Sequence, residues 1–472
     1  MHGMSTLFPK LSSSQQRFLR DLFPGSGALL APEELVGFAG DASQKQALPG
    51  AVVRPVEEAQ LRELLRWAHL ERVPVYARAR ATNKVGQTVP VRGGVVVSFL
   101  RMNRVLDIDP QDFVAVVQPG VVTAQFQQEL ESRGLFYPPD PASVKISTLG
   151  GNVATCAGGM RALKYGVTRD HLLGLRAVLP GGEVLALGSR CHKDVSGLDL
   201  TRLLAGSAGT LALFSELTLK LLPRPETSAS ALVGFAGFPD ALEAAAAVFH
   251  AGLLPAALEF MDSVTLEALA AEFGRRDDAE QYSWLREAGA ALLFRLDGSR
   301  AAVDAEMQTL ERAVSRGKPV FLESATGADE EPLWEVRRAI SPSLFHLAPD
   351  KSGEDVAVPR GRVLEAVQGL HAIGRELGLR TACFGHLGDG NLHANILFDR
   401  ARGQAEAARQ AKSKLFGLVL SLGGTLTGEH GIGLSKKEWM ADQIGPAEMD
   451  VMQRLKAVFD PHGIMNPGKE WA

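Results

Sequence analysis

The sequence predicts an α+β protein of more than one domain, and three observations carry that reading. The chain has 472 residues, more than a single hydrophobic core usually organises. Its first part alternates short Val-rich runs with stretches of helical spacing, as β-α-β units do. Its later part sets long helical stretches against scattered apolar strands, the texture of helices laid over an antiparallel sheet.

Taken in order, residues 12–48 read as a short helical lead-in. Ala51–Arg54 is a short apolar strand closed by Pro55. Residues 57–71 place Ala59, Leu61, Leu64, Leu65 and Ala68 near helical intervals. Val73–Ala77 is the next strand, so the strands run parallel. Further strands are expected at Gly94–Leu100 and Val114–Gln118, with Thr123 as N-cap of a helix stopping before Gly134. Residues 135–160, rich in Pro and Gly, read as one long loop, and a loop of that length in a compact domain is usually functional. Pro223 and Pro225 mark a boundary. Beyond it, helices are expected near 239–252, 263–274, 300–315, 329–347, 361–377 and 401–421. Strands are expected at Ala291–Leu296, Val320–Glu323 and Asp355–Val358.

The composition narrows the function classes. A formal net charge of −4 offers no electrostatic footprint for nucleic acid. The three cysteines, Cys156, Cys191 and Cys383, are odd in number and widely spaced. That argues against a disulfide framework and against a cluster-binding cysteine run. Met1–Lys10 has no basic patch followed by an apolar core, and no stretch approaches 18 uninterrupted apolar residues. The expectation is a cytoplasmic protein without a transmembrane helix, with peripheral contact at the inner face of a membrane left open.

Two segments could approach a phosphate closely. The better is Ser147-Thr148-Leu149-Gly150-Gly151-Asn152-Val153-Ala154-Thr155, where small residues give access to backbone N–H groups. No G-x-G-x-x-G follows a first strand, which disfavours a nicotinamide site. Taken alone, these glycines fit turns as well as phosphate contacts.

The order of short words separates those readings. Val53-Arg54-Pro55, Pro138-Pro139-Asp140-Pro141, Gly150-Gly151-Asn152-Val153-Ala154-Thr155 and Ala157-Gly158-Gly159 appear in sequence. Lys164-Tyr165-Gly166-Val167-Thr168-Arg169-Asp170, Asp199-Leu200 and Gly206-Ser207-Ala208-Gly209-Thr210-Leu211 follow. The chain therefore resembles the vanillyl-alcohol-oxidase-type flavoproteins, in their D-lactate dehydrogenase and glycolate oxidase flavin-subunit branch, over about nine-tenths of its length. The resemblance implies a two-subdomain FAD-binding module plus an α+β cap domain with an antiparallel sheet, the flavin lying between them. It divides the chain into a lead-in at 1–48, the FAD module at 49–225, the cap at 226–425 and a returning segment at 426–472.

It also implies that Arg78, Arg80, Thr82, Asn83, Gly86 and Gln87 contact FAD. Pro139, Asp140, Ser143 and Thr148 join them, as do Gly150, Gly151, Asn152, Thr155, Gly158 and Gly159. Gly166, Val167 and Asn466 complete the set. The family's pyrophosphate loop is typically Arg-Gly-Gly-Gly-Thr-Gly, whereas this chain has Arg78-Ala79-Arg80-Ala81-Thr82-Asn83. Each added Cβ disfavours positive φ, and Asn83 is the replacement that best tolerates it. Arg80 either faces a phosphate or projects into solvent. The loop has no His or Cys, so the FAD is expected to be non-covalent.

A second constellation lies in Phe384–Phe398. Asp389-Gly390 is a strong hairpin signal, so His386 and His393 fall on adjacent strands near the turn. Asn395 shares a face with His393. Paired imidazoles suit a metal that needs a third ligand, preferably a carboxylate, and Glu429 in Thr427-Gly428-Glu429-His430-Gly431 supplies one. In the family resembled, these three positions hold a divalent metal, here Zn, Mn or Fe. The position of His430 is the catalytic base, Asn395 contacts substrate, and Arg337 grips its carboxylate, with Ser341 one turn on. A distal lysine of the 2-hydroxyglutarate branch has no match in register, Lys351 being the nearest. The implied activity is FAD- and metal-dependent oxidation of a small D-2-hydroxy acid such as D-lactate or glycolate. Electrons would pass to an iron–sulfur subunit, a quinone or an electron-transfer flavoprotein. The rival readings are a D-2-hydroxyglutarate dehydrogenase, a synthase or alcohol oxidase on the same fold, and a non-catalytic or weakly flavin-binding partner subunit of a glycolate-oxidase-like complex.

Overall fold

The structure, a computed structural model, describes residues 10–470. The chain divides into two compact units. The first contains the described residues up to Gly159, then Gly166–Arg224, and the chain from Glu429 onward. The second contains Met160–Tyr165 and Pro225–Gly428.

Two sheets organise the first unit. Ala51–Val53 and Val75–Arg78 both run parallel to Val95–Ser98, which lies between them. Their valines are buried on both faces, as parallel strands require. The helix Glu58–Glu71 buries Leu61, Leu64, Leu65 and Ala68 on this sheet's core. Ala28–Leu29 adds an antiparallel edge, so the lead-in is not wholly helical as expected. Its helix is Ser13–Leu22, closed by a Ser12–Gln15 capping box.

The second sheet is antiparallel, in the order Val105–Asp109, Val114–Val117, Leu213–Lys220, Leu172–Val178, Val184–Gly188. Val105–Asp109 was not expected, because a run of Val-Leu-Asp-Ile-Asp carries a weak apolar signal. Thr123 is the first residue of its helix, not the cap. Its hydroxyl donates to the Ser147 carbonyl and accepts from Asn152 Nδ2. The long Pro- and Gly-rich loop is also corrected, since it encloses the helix Leu149–Thr155, capped by Thr148. The returning tail pairs Met465 with Val75 beside the first sheet.

The second unit is a seven-stranded sheet whose strand pairs are all antiparallel. Its order is Phe321–Thr326, Thr227–Phe235, Ala290–Gly298, Ala257–Asp262, Arg380–His386, Asn391–Phe398, Asp350–Ala357. The helices Phe238–His250 and Arg300–Val314 pack on its first strands. Val363–Glu376 and Ala405–Ser421 pack on its last. Glu331–Ser343 and Ser263–Phe273 contribute Leu333, Val336, Leu266 and Leu269 to one core. The strap at 160–165 is held by Asp297, whose Oδ1 accepts from Lys164 Nζ at 2.6 Å and Tyr165 Oη at 2.8 Å.

Candidate active site

The first unit contains a cavity of about 490 Å³. Small residues make it, because a wall of Ala and Gly leaves room where larger side chains would fill the space. Of the residues expected to hold FAD, Arg78, Arg80, Thr82, Asn83 and Gln87 line it from the first loop. Ser143, Thr148, Gly150, Gly151, Asn152, Thr155 and Gly158 line it from the later segment. A Cβ on Gly158 would sit 3.2 Å from Glu429 Oε2, close enough that the Glu429 side chain would have to give by a few tenths of an ångström. Glu429 and His430 are on the wall as well, with His430 Nε2 3.6 Å from Glu429 Oε1.

Seven expected residues are not on that wall. Gly86 packs under Leu434, and Gly159 lies against Asp140. Pro139 accepts from Gln127 Nε2 through its carbonyl. Val167 N donates to Asp170 Oδ2, and Gly166 lies against the same side chain. Asn466 is buried and donates to the carbonyls of Gln87 and Ala208. These positions shape the backbone around the cavity instead of facing it.

The altered loop departs from expectation in one further way. The residue at positive φ is Ala81, at +53°, and not Asn83. Asn83 serves as a hub: Oδ1 accepts from the N–H of Val85 and Gln87, and Nδ2 donates to Gln87 Oε1 and to the His430 carbonyl. Arg80 is exposed on the cavity wall, with Lys84 beside it in the loop. The two cations give the loop a positive edge of the kind a pyrophosphate needs.

In the second unit the expected hairpin forms. His386 pairs with Asn391, and Phe384 pairs with His393. Cross-strand partners share a face, and so do residues two apart, so His386 and His393 are diagonal neighbours on one face. Their ring centroids are 5.2 Å apart. Glu259 pairs with His386 on one side and Asp355 pairs with His393 on the other. The face therefore presents a row of acid, imidazole, imidazole and acid. Asp355 Oδ2 accepts from Thr427 Oγ1 and Gly428 N, which fixes the chain immediately before Glu429.

Glu259 is the residue sequence reasoning missed. The only available signal was one acid inside the strand Ala-Leu-Glu-Phe-Met-Asp. Its Oε2 accepts from Arg337 Nε at 2.6 Å, and its Oε1 from His386 Nδ1 at 2.5 Å. Arg337 also stands over the Phe384 ring, 5.0 Å from its centroid. Asn395 is buried and donates to the His393 carbonyl. Ser341 is exposed and accepts from Lys351 Nζ through both its carbonyl and its hydroxyl.

The parallel and antiparallel sheets of the first unit, with its small-residue cavity and cationic loop, define an FAD-binding flavoprotein. Residues 49–188 match the family described as FAD binding domain, and residues 224–470 match FAD linked oxidases, C-terminal domain. The fold is shared with p-cresol methylhydroxylase, at a TM-score of 0.78 and 16% identity, covering 97% of this chain and 96% of that one. The chain is 39% identical to the glycolate oxidase subunit GlcD of Bacillus subtilis (strain 168), over 91% of its own length and 90% of the relative's. It is 34% identical to a D-lactate dehydrogenase of Anaerostipes hadrus, over 90% of each. The chain thus belongs to the FAD-linked dehydrogenase family that contains the GlcD subunits and the D-lactate dehydrogenases.

Proposed function

We propose that the protein oxidises a small D-2-hydroxy acid, D-lactate or glycolate, to the corresponding 2-oxo acid. The observation that carries this reading is the second unit's sheet face, where the His386 imidazole and the Arg337 guanidinium converge on Glu259, with the His393 ring beside that of His386. That donor set matches a 2-hydroxy acid, which offers an anionic carboxylate and a neighbouring hydroxyl. The names of the relatives point to the same substrates.

His386, His393 and Glu429 are the proposed ligands of a divalent metal, Zn, Mn or Fe, and the paired imidazoles are a suitable donor set. When bound, FAD supplies the two-electron acceptor and the metal supplies a Lewis acid. Arg337 binds the substrate carboxylate through charged hydrogen bonds. Asn395 helps orient the substrate. His430, in its neutral form, takes the hydroxyl proton on Nε2. Arg78, Arg80, Thr148, Gly150 and Gly151 hold FAD without a covalent link, and among the described residues no Cys lines the cavity. Electrons then leave to a separate carrier, an iron–sulfur subunit, a quinone or an electron-transfer flavoprotein.

The test is anaerobic stopped-flow bleaching of the flavin with D- and L-2-hydroxy acids, alongside metal analysis. D-Lactate or glycolate should reduce the flavin. His430→Ala should keep metal and flavin but slow reduction on the order of 10²–10⁴-fold, the range for a positioned base. His386→Ala should lose metal and activity together. Wild-type flavin left oxidised by every acid in the panel would overturn the reading.

A further inference from the structure

Glu259 is wholly buried, at 0% exposure, in the middle of an apolar strand. Its neighbours Leu258, Phe260 and Met261 are equally buried, and its partner on the other adjacent strand is Leu293. A leucine or valine would suit the sheet's packing there. A buried ion pair is weak evidence for stability, because desolvation offsets most of the attraction. The acid therefore calls for a reason other than folding.

Its two oxygens are divided between two different groups. One accepts from Arg337 Nε and the other from His386 Nδ1. A carboxylate only accepts, so the contact keeps the proton on Nδ1 and makes Nε2 the lone-pair nitrogen, the one able to bind a metal. The same carboxylate holds Arg337 by Nε, leaving the two terminal nitrogens as the end that meets a substrate carboxylate.

We infer that Glu259 is a positioning residue that sets the metal-binding tautomer of His386 and the substrate-binding rotamer of Arg337 at once. It acts through both groups and touches neither substrate nor cofactor. The inference rests on the 2-hydroxy acid reading above and adds a shared support beneath its two halves. It follows that metal affinity and substrate affinity depend on one side chain.

The test uses FAD-loaded enzyme carrying Glu259→Gln, a near-isosteric change that removes the charge. Zn²⁺ affinity is measured by chelator competition without substrate, and KM and kcat are measured for D-lactate or glycolate, whichever bleaches the wild-type flavin. Loss of an outer carboxylate typically costs 10–100-fold in metal affinity, and that fall is expected here together with a raised KM. Flavin content should match wild type. Glu259→Asp, which keeps the charge, should recover part of both losses. Glu259→Gln with wild-type Zn²⁺ affinity and KM would overturn the inference while leaving the functional reading intact. A wild-type enzyme that no hydroxy acid reduces would instead overturn the functional reading, and this inference with it. If Glu259→Gln does not fold, ¹⁵N NMR of histidine in the Zn-loaded wild type decides. A proton on His386 Nδ1 supports the inference, and a proton on Nε2 sinks it.

Discussion

Ala81 holds a left-handed backbone conformation that costs an L-residue on the order of 1 kcal/mol. The loop keeps it because Asn83 ties the following turn to Val85, Gln87 and His430. The sequence suggested Asn83 for the left-handed position, since asparagine adopts it readily. The residue is instead engaged by a carbonyl 347 positions away, which no local pattern announces. Glu259 was hidden for the same reason, its partners lying 78 and 127 residues off. Lys469 is another buried ion, with Nζ donating to the Val89 carbonyl at 2.6 Å. Burial lowers its pKa from the ordinary 10.5 to about 8, with Glu470 and Asp41 opposing the shift. The unfolded chain then binds this proton more tightly than the folded one. Its destabilising effect is full below pH 8 and fades as pH rises towards 10.5, so stability gains with pH across that window. Urea unfolding of wild type and Lys469→Met between pH 7 and 10 should therefore diverge. The wild type should gain roughly 2–4 kcal/mol on the variant as pH rises. Parallel pH profiles would show that Lys469 titrates normally.

At the scale of elements, local chemistry was the readable part. The hairpin Arg380–His386 and Asn391–Phe398 follows from an Asp-Gly turn between alternating strands. The helix Glu58–Glu71 follows from its apolar spacing. The strands Thr227–Phe235 and Ala257–Asp262 escaped notice because short apolar runs fit a buried strand and a buried helix equally well. The face that a strand presents depends on register, and register depends on partners far along the chain. One short segment, Thr427–Gly428, is anchored beside the hairpin. Gly428 packs on Asn391, and a Cβ there would lie 2.3 Å from Asn391 Nδ2. Gly428→Ala must displace the segment or the Asn391 side chain. The expected outcome is a loss of bound metal of tenfold or more in affinity, with FAD content unchanged. Metal titration on the purified variant measures it, and wild-type metal affinity would show that this segment does not place the ligand.

On the scale of the whole molecule, each unit has its own cores and its own polar anchors. The proposed FAD site is the first unit's cavity, so bound FAD should stabilise that unit by mass action, by about 2.7 kcal/mol at a free concentration of 100 Kd. Hydrogen exchange on apo and FAD-loaded protein should show added protection in Val75–Arg78 and Leu149–Thr155, with Ala290–Gly298 little changed. Equal added protection in all three would contradict the proposal that the first unit's cavity is the FAD site. Among the described residues no helix is long and apolar enough to cross a membrane. The first unit is assembled from three stretches of chain, and its last stretch begins only at Glu429. Met465 completes the edge beside Val75, Lys469 reaches Val89, and Lys456 reaches the Thr210 carbonyl. During translation the earliest strands must therefore wait for the stretch from Glu429 to Lys469 to emerge, a delay on the order of tens of seconds at ribosomal speed. The second unit, almost one unbroken run, has all its strands out of the ribosome sooner. A nascent chain halted before Met465 emerges would carry a finished second unit and an open first one, with Val-rich parallel strands exposed to whatever binds unpaired edges.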